Sequence, residues 1–273
     1  MYDIADLSNI GLMIHFRRDV DDRFRNLKTV LEYYREVSTG LEIIVVNDDI
    51  FLDKKIKSLC SQYGVKGLFM ENNDVYWRTK AFNEASKYLN AEYIIAGDTD
   101  VIINPKYILK AKQLFEEDNN IGIVYPYNGM FVHVKQDVMN TFLVEKNLFE
   151  FEGFINTLKP KPYFETERFL VAHPQSKGGM VMFKKESFVL CKGYNTNFRG
   201  WGYEDDEILS RFQKLGYVIT RVMDESAIAW HLPHDNTVRE KHKYYENNRK
   251  HSDFVCGCSD KEQLLEYMKG WEI

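Results

Sequence analysis

Cysteine is scarce in this chain, with 4 residues in 273. Cys60 and Cys191 lie in helical or apolar stretches, where a thiol packs as a small hydrophobe. Cys256-Gly257-Cys258 has no second pair to complete a zinc site. A disulfide framework is unsupported, and a reducing compartment is expected. Positive charge is not in excess either. Lys+Arg number 36 against 41 Asp+Glu, a net charge of -5, which argues against a nucleic-acid coat. No apolar run approaches the roughly 20 residues of a membrane span. The opening, with Asp3 and Asp6, lacks the basic start and long apolar core of a secretory leader. The expectation is a soluble, cytoplasmic protein. Arg239, Lys241, Lys243, Arg249 and Lys250 in the tail read first as a solvated helix face. Peripheral contact with the anionic inner face of a membrane is the second reading. Internal repeats and low-complexity segments are also missing.

What remains is an ordinary globular composition, 44% hydrophobic and 28% charged, in a chain long enough to bury a sizeable core. Apolar runs at Ile10–Phe16, Leu41–Val46, Val65–Met70 and Tyr93–Ala96 read as strands. Helical spacing fills Arg23–Tyr34, Ile50–Tyr63 and Tyr76–Leu89 between them. Alternation of this kind predicts βαβ units and a mostly parallel sheet. In such sheets ligands bind beyond the carboxyl ends of the strands. Two acidic clusters fall there, Asn47-Asp48-Asp49 and Asp98-Thr99-Asp100.

Downstream, Ile108–Phe115 reads as a helix and Ile121–Tyr125 as a strand. Residues 126–177 show no clear period and read as a variable insert on the acceptor side. Gly179–Phe183 reads as a strand, Glu204–Leu215 as a helix, and Tyr217–Met223 and Ala227–Trp230 as strands. The tail, 236–273, reads as helical and polar.

Three features carry chemistry. Asp98 and Asp100, two apart at a strand end, can both reach one hard cation and the oxygens of a diphosphate. A divalent metal at that place stabilises the charge that builds on a departing nucleoside diphosphate. The alternative is an acidic loop that merely ends a strand. The second feature begins at Gly178-Gly179 and ends in Gly200-Trp201-Gly202-Tyr203-Glu204-Asp205-Asp206-Glu207. Glycines permit close backbone approach, and an exposed Trp offers a flat platform for a sugar face. The acids open a helix, where negative charge is favoured. That accounts for Asp206, and for Glu207 paired with Arg211 at i,i+4, but not for Trp201 and its glycines. The third feature is Trp230-His231-Leu232-Pro233-His234, in which a His could add a metal ligand. The competing reading is a pair of packed core histidines.

These segments resemble the inverting glycosyltransferases of the GT-A fold, in particular the β1,4-galactosyltransferases and their bacterial relatives. The stretch from Gly178-Gly179 to Glu207 is similar to their C-terminal signature, whose core is Gly-Trp-Gly-x-Glu-Asp. His15-Phe16-Arg17-Arg18 resembles the first-strand segment in which an Arg contacts uracil. Asn47-Asp48-Asp49 resembles the carboxylate that holds uridine. Arg78 and Asn83 fall where related enzymes place donor-contacting residues. Three departures stand out. Tyr203 occupies a Gly position, His15 replaces a Pro, and the animal enzymes' methionine ligand has no clear counterpart.

The resemblance implies an α/β GT-A fold in a single domain. A catalytic domain would span 1–235, its nucleotide-sugar half at 1–125 and its acceptor half at 126–235, with a helical tail at 236–273. It implies metal at Asp98 and Asp100, with His231 favoured over His234 as the further ligand, and Mn2+ or Mg2+ as cofactor. It implies a UDP-sugar donor held by Arg17, Asp48, Asp49, Arg78, Asn83, Asp98 and Gly179. Trp201, Gly202, Tyr203 and Glu204 would meet a carbohydrate or glycolipid acceptor. Asp205 would be the catalytic base, with Glu204 binding sugar hydroxyls. Galactose or N-acetylgalactosamine is the expected sugar. Two other readings compete. A sugar nucleotidyltransferase usually has a glycine-rich, basic loop after the first strand, where this chain has His15-Phe16-Arg17-Arg18-Asp19. A non-catalytic carbohydrate-binding protein with the same fold would not need Asp98, Asp100, Asp205 and His231 together.

Overall fold

The computed structural model describes residues 4–18, 21–145, 164–165, 169–173, 175–235 and 243–273, with backbone alone for 141–145, 164–165 and 169–173. Along the chain, β1 (Ala5–Asp6) and β2 (Ile10–Phe16) precede α1 (Asp21–Val37), β3 (Ser38–Thr39) and β4 (Glu42–Asp49). Then come α2 (Lys54–Gln62), β5 (Lys66–Glu71), α3 (Arg78–Ser86), β6 (Tyr93–Gly97), β7 (Val101–Ile102), α4 (Pro105–Glu117) and β8 (Ile121–Tyr125). The middle contributes β9 (Phe131–Val134), α5 (Gln136–Glu145), β10 (Phe164–Glu165) and β11 (Phe169–His173). The remainder is β12 (Met180–Lys184), α6 (Lys185–Leu190), α7 (Glu204–Lys214), β13 (Val218–Arg221), β14 (Ala229–His231), α8 (Tyr245–Gly257) and α9 (Lys261–Tyr267).

Seven strands form the central sheet in the order β13-β8-β12-β6-β2-β4-β5. Four of its six pairings are parallel; only β12, between β8 and β6, runs antiparallel. β6 and β8 are buried along their whole length, as strands covered on both faces by helices must be. A smaller sheet runs β10-β11-β9-β14-β7. Most of it comes from the stretch read as an insert without period. β9 alternates burial, but it is too short for that to stand out in the sequence.

Element boundaries moved where side chains bond the backbone. The helix expected from Ile50 starts at Lys54, because Asp53 caps it and accepts from the Lys55 N–H. The helix expected from Tyr76 starts at Arg78, because the Tyr76 carbonyl and the Trp77 N–H bond Gly200 and Asp48 instead. The helix expected from Ile108 starts earlier, at Pro105, because Pro suits the first helical position and the Asn104 side chain caps it, accepting from the Lys106 N–H. The tail helices pack back onto the body. Arg211 of α7 lies over the Trp271 ring, and Lys214 donates to the Cys258 carbonyl.

Candidate active site

The Asp98–Asp100 loop leaves β6 and is stitched into its surroundings by backbone bonds. Asp98 N–H donates 2.9 Å to the Gly179 carbonyl, and Leu232 N–H donates 2.7 Å to the Asp100 carbonyl. β7 then pairs antiparallel with β14, setting Val101 opposite His231. Strand pairing thus delivers the histidines to the aspartate. Asp100 is buried, with its carboxylate 3.2 Å from His234 Nε2 and 3.6 Å from His231 Nε2. The donor atoms of these three residues all lie within 4.8 Å of one another. The two aspartate–histidine separations lie in the range of about 3 to 4.2 Å that one cation imposes on its ligand atoms, and a carboxylate with two imidazoles suits a borderline ion such as manganese better than magnesium, which takes oxygen ligands. Burial, then the neighbouring His133 and His234, push the His231 imidazole well below its ordinary pKa. The neutral form that can ligate a metal is therefore favoured. Arg23 of α1 also approaches Asp100, at 3.4 Å.

Asp98 lies outside that trio. Its carboxylate is 3.1 Å from Arg78 Nε. The same guanidinium is 3.1 Å from Glu204 and 3.6 Å from Asp205. Arg78 joins the two acidic motifs across more than a hundred residues of sequence. Burial works against its charge, but Asp98 and Asp205 hold it protonated well above the usual range. Asp205 presses against Gly178, where a Cβ would come within 2.9 Å of its Oδ2. The adjacent Gly179, at φ +82, has no room for a side chain beside Phe131. Burial pushes the Asp205 carboxyl up to about 7; Arg78 opposes the shift, while Glu204 and Asp98 add to it. Its Oδ1 makes no hydrogen bond among the described residues, although a quarter of the side chain reaches solvent.

At the end of β4, Asp48 is fully buried. It accepts from His15 Nε2 at 2.8 Å, Trp77 N–H at 2.6 Å and Asn72 Nδ2 at 2.7 Å. Burial alone would raise its pKa, but these bonds lower it. Asp49 is half-buried and accepts from the Ile50 N–H. Arg17, one residue past β2, has a buried Nη1 without a hydrogen-bond partner among the described residues. Asn83 is not brought to this cluster. Its amide bonds the Tyr194 N–H and carbonyl, both at 2.8 Å, and so pins the turn behind α3.

Trp201 is 48% exposed. The Gly202 N–H donates to Glu204. Tyr203 holds φ +69, a left-handed conformation that suits a Gly and strains other residues. Its hydroxyl bonds that of Tyr245 at 3.0 Å.

Sequence reading missed His133, Arg23 and Tyr245. His133 Nδ1 is 2.8 Å from His231 Nδ1. Only the pairing of β9 with β14, which sets these two opposite each other, could have found it.

Over residues 25–176 the sequence matches glycosyl transferase family 2. Over residues 164–235 it matches a family described as the N-terminal domain of galactosyltransferase. No curated protein matches. Among solved structures, the catalytic domain of Drosophila β1,4-galactosyltransferase 7 in complex with xylobiose superposes with a TM-score of 0.52 at 17% identity, covering 91% of this chain and 79% of that one. A mutant of that enzyme with manganese, UDP-Gal and xylobiose gives 0.51 at 16%, with the same coverage. A mannosyltransferase from Pyrobaculum calidifontis, in complex with GDP-Man and Mn2+, gives 0.50 at 14%, covering 98% of this chain and 66% of that one. At these identities the likeness is one of fold, and the fold is that of GT-A enzymes. The family 2 match spans more than half of the sequence, and the chain accordingly belongs to glycosyl transferase family 2.

Proposed function

We propose that the chain transfers galactose or N-acetylgalactosamine from a UDP-sugar to a carbohydrate or glycolipid acceptor, with inversion at the anomeric carbon. The observation that carries the reading is the place of Asp205. It lies beside the Asp98 loop, outside the Asp100–His231–His234 trio, and its carboxyl is pushed up to about 7. Inversion needs one general base at the attacking hydroxyl, and a base works best with a pKa near the working pH. A carboxylate bound to metal would be a poor one.

Asp100, His231 and His234 would hold Mn2+ or Mg2+, which neutralises charge on the departing diphosphate. Arg78, flanked by Asp98 and Glu204, orients Asp205 and sets its charge. Arg17, whose Nη1 has no hydrogen-bond partner among the described residues, and Asp48 or Asp49 would read the uracil edge. Trp201 would carry one face of the acceptor sugar, and Glu204 would bind hydroxyls. The UDP-Gal complex of the Drosophila neighbour supports a uridine donor, and the GDP-Man complex of the Pyrobaculum neighbour names the competitor to exclude.

A panel of nucleotide sugars tests the reading. Purified protein with Mn2+ should release UDP slowly from UDP-galactose or UDP-N-acetylgalactosamine without acceptor, and not in excess chelator. Release from GDP-sugars alone, or undiminished release in chelator, would overturn it.

A further inference from the structure

We infer that His133 is a positioning residue that fixes the tautomer of His231; the inference rests on the cation site proposed at Asp100, His231 and His234. The parallel pairing of β9 with β14 sets His133 directly beside His231. Their rings lie 4.6 Å apart, 80° from parallel, with the two Nδ1 atoms at 2.8 Å. At that separation one Nδ1 carries the hydrogen and the other its lone pair; two hydrogens or two lone pairs would repel.

The opposite nitrogen of His231 decides which. Nε2 is the atom that faces Asp100, at 3.6 Å. A cation shared with Asp100 needs the Nε2 lone pair, so the His231 proton must sit on Nδ1. His133 Nδ1 then accepts that proton's hydrogen bond and keeps its own hydrogen on Nε2. The reverse arrangement would place an Nε2–H of His231 against Asp100 and exclude a cation from it.

The geometry leaves His231 little freedom to rotate away. Phe131, two residues before His133 in β9, packs 5.3 Å from the His231 ring and 5.5 Å from the His133 ring. A hydrogen bond of this kind behind a metal-binding imidazole both orients the ring and raises its basicity. The segment that supplies His133 belongs to the small sheet rather than the nucleotide-sugar half. His133 and His231 thus meet on neighbouring strands of that one sheet.

The test measures Mn2+ binding in the presence of UDP, from the electron paramagnetic resonance signal of free Mn2+. Three variants are compared with wild type. His231→Ala removes the ligand, His133→Leu removes the acceptor, and His133→Asn returns an acceptor oxygen at the place of Nδ1. His133→Leu should weaken Mn2+ by about 10- to 100-fold, and His133→Asn should restore binding to within about threefold of wild type. Wild-type affinity in His133→Leu, with weakened binding in His231→Ala, would overturn the role of His133 alone. Wild-type affinity in His231→Ala would instead remove the cation site and this inference with it. Should His133→Leu not fold, the wild-type protein decides the matter. Nitrogen-15 spectra of labelled histidines with Mg2+ and UDP should show His231 protonated at Nδ1 and His133 at Nε2. Protonation of His231 at Nε2 would overturn the inference.

Discussion

The indole of Trp201 stacks on the phenol of Tyr245, with planes 10° apart and ring centroids 5.8 Å apart. Trp201 lies in the loop before α7, whereas Tyr245 opens α8 in the tail. One turn further along α8, the buried Asn248 bonds the Arg199 carbonyl at 2.9 Å. The tail therefore backs the loop proposed to receive the acceptor. Tyr245→Ala should raise the acceptor KM by about 3- to 10-fold, the scale of one lost aromatic contact. Hydrolysis of the donor without acceptor should stay unchanged. A variant that loses donor hydrolysis in parallel would show that Tyr245 only supports the fold.

Two acids of the same helical turn should behave oppositely. Glu207 meets Arg211 at 2.7 Å with both side chains buried, and Arg211 also donates to the Gly193 carbonyl. Glu207→Ala leaves a buried guanidinium unpaired and should cost about 3–5 kcal/mol in urea unfolding. Asp206 meets Lys177 at the surface, and Asp206→Ala should cost less than about 1 kcal/mol. Similar losses from both variants would contradict this division.

How much of this was legible beforehand varied with the range of the interaction. The parallel strands at the middle of the sheet were readable because they are compact apolar runs, as in Ile10–Phe16 and Tyr93–Gly97. Glu207 with Arg211 was readable because i,i+4 spacing is local. The ties from Arg78 to Glu204 and from His133 to His231 span 126 and 98 residues. No local period encodes such distances. Asp48 was expected near a ligand from its strand-end position, and at the uridine from the family resemblance. Its bonds to His15, Asn72 and Trp77 depend on how β2, β4 and the start of α3 meet.

Asp48 carries the next expectation. Asp48→Asn puts a donor where the Trp77 N–H or His15 now finds an acceptor. It should cost about 1–3 kcal/mol of stability. The folded pKa of Asp48 lies below its unfolded value. Its contribution to stability is therefore full above about pH 4 and is lost as pH falls through the folded pKa. In calorimetry the wild-type protein should bind UDP far more tightly than GDP or ADP. Equal affinities would contradict uracil selection by this end of the sheet.

Asp205 has the opposite sign. Its folded pKa is raised to about 7, so its contribution is present below the ordinary carboxylate range and lost as pH rises through about 7. Asp205→Asn should raise the melting temperature at pH 8 by about 2–4 °C and by less at pH 5. The acid side of the kcat/KM profile should rise through an apparent pKa near the same value, because the base must be ionised. A stability gain greater at pH 5 than at pH 8 would contradict the shift.

The transfer rate of Asp205→Asn is the measurement closest to the central claim. The substitution keeps the size of the side chain and removes its basicity. Calorimetry should show UDP and Mn2+ bound as in the wild-type protein, while transfer to acceptor falls by about 10²-fold or more. Transfer within a few-fold of wild type, with binding intact, would show that Asp205 is not the base.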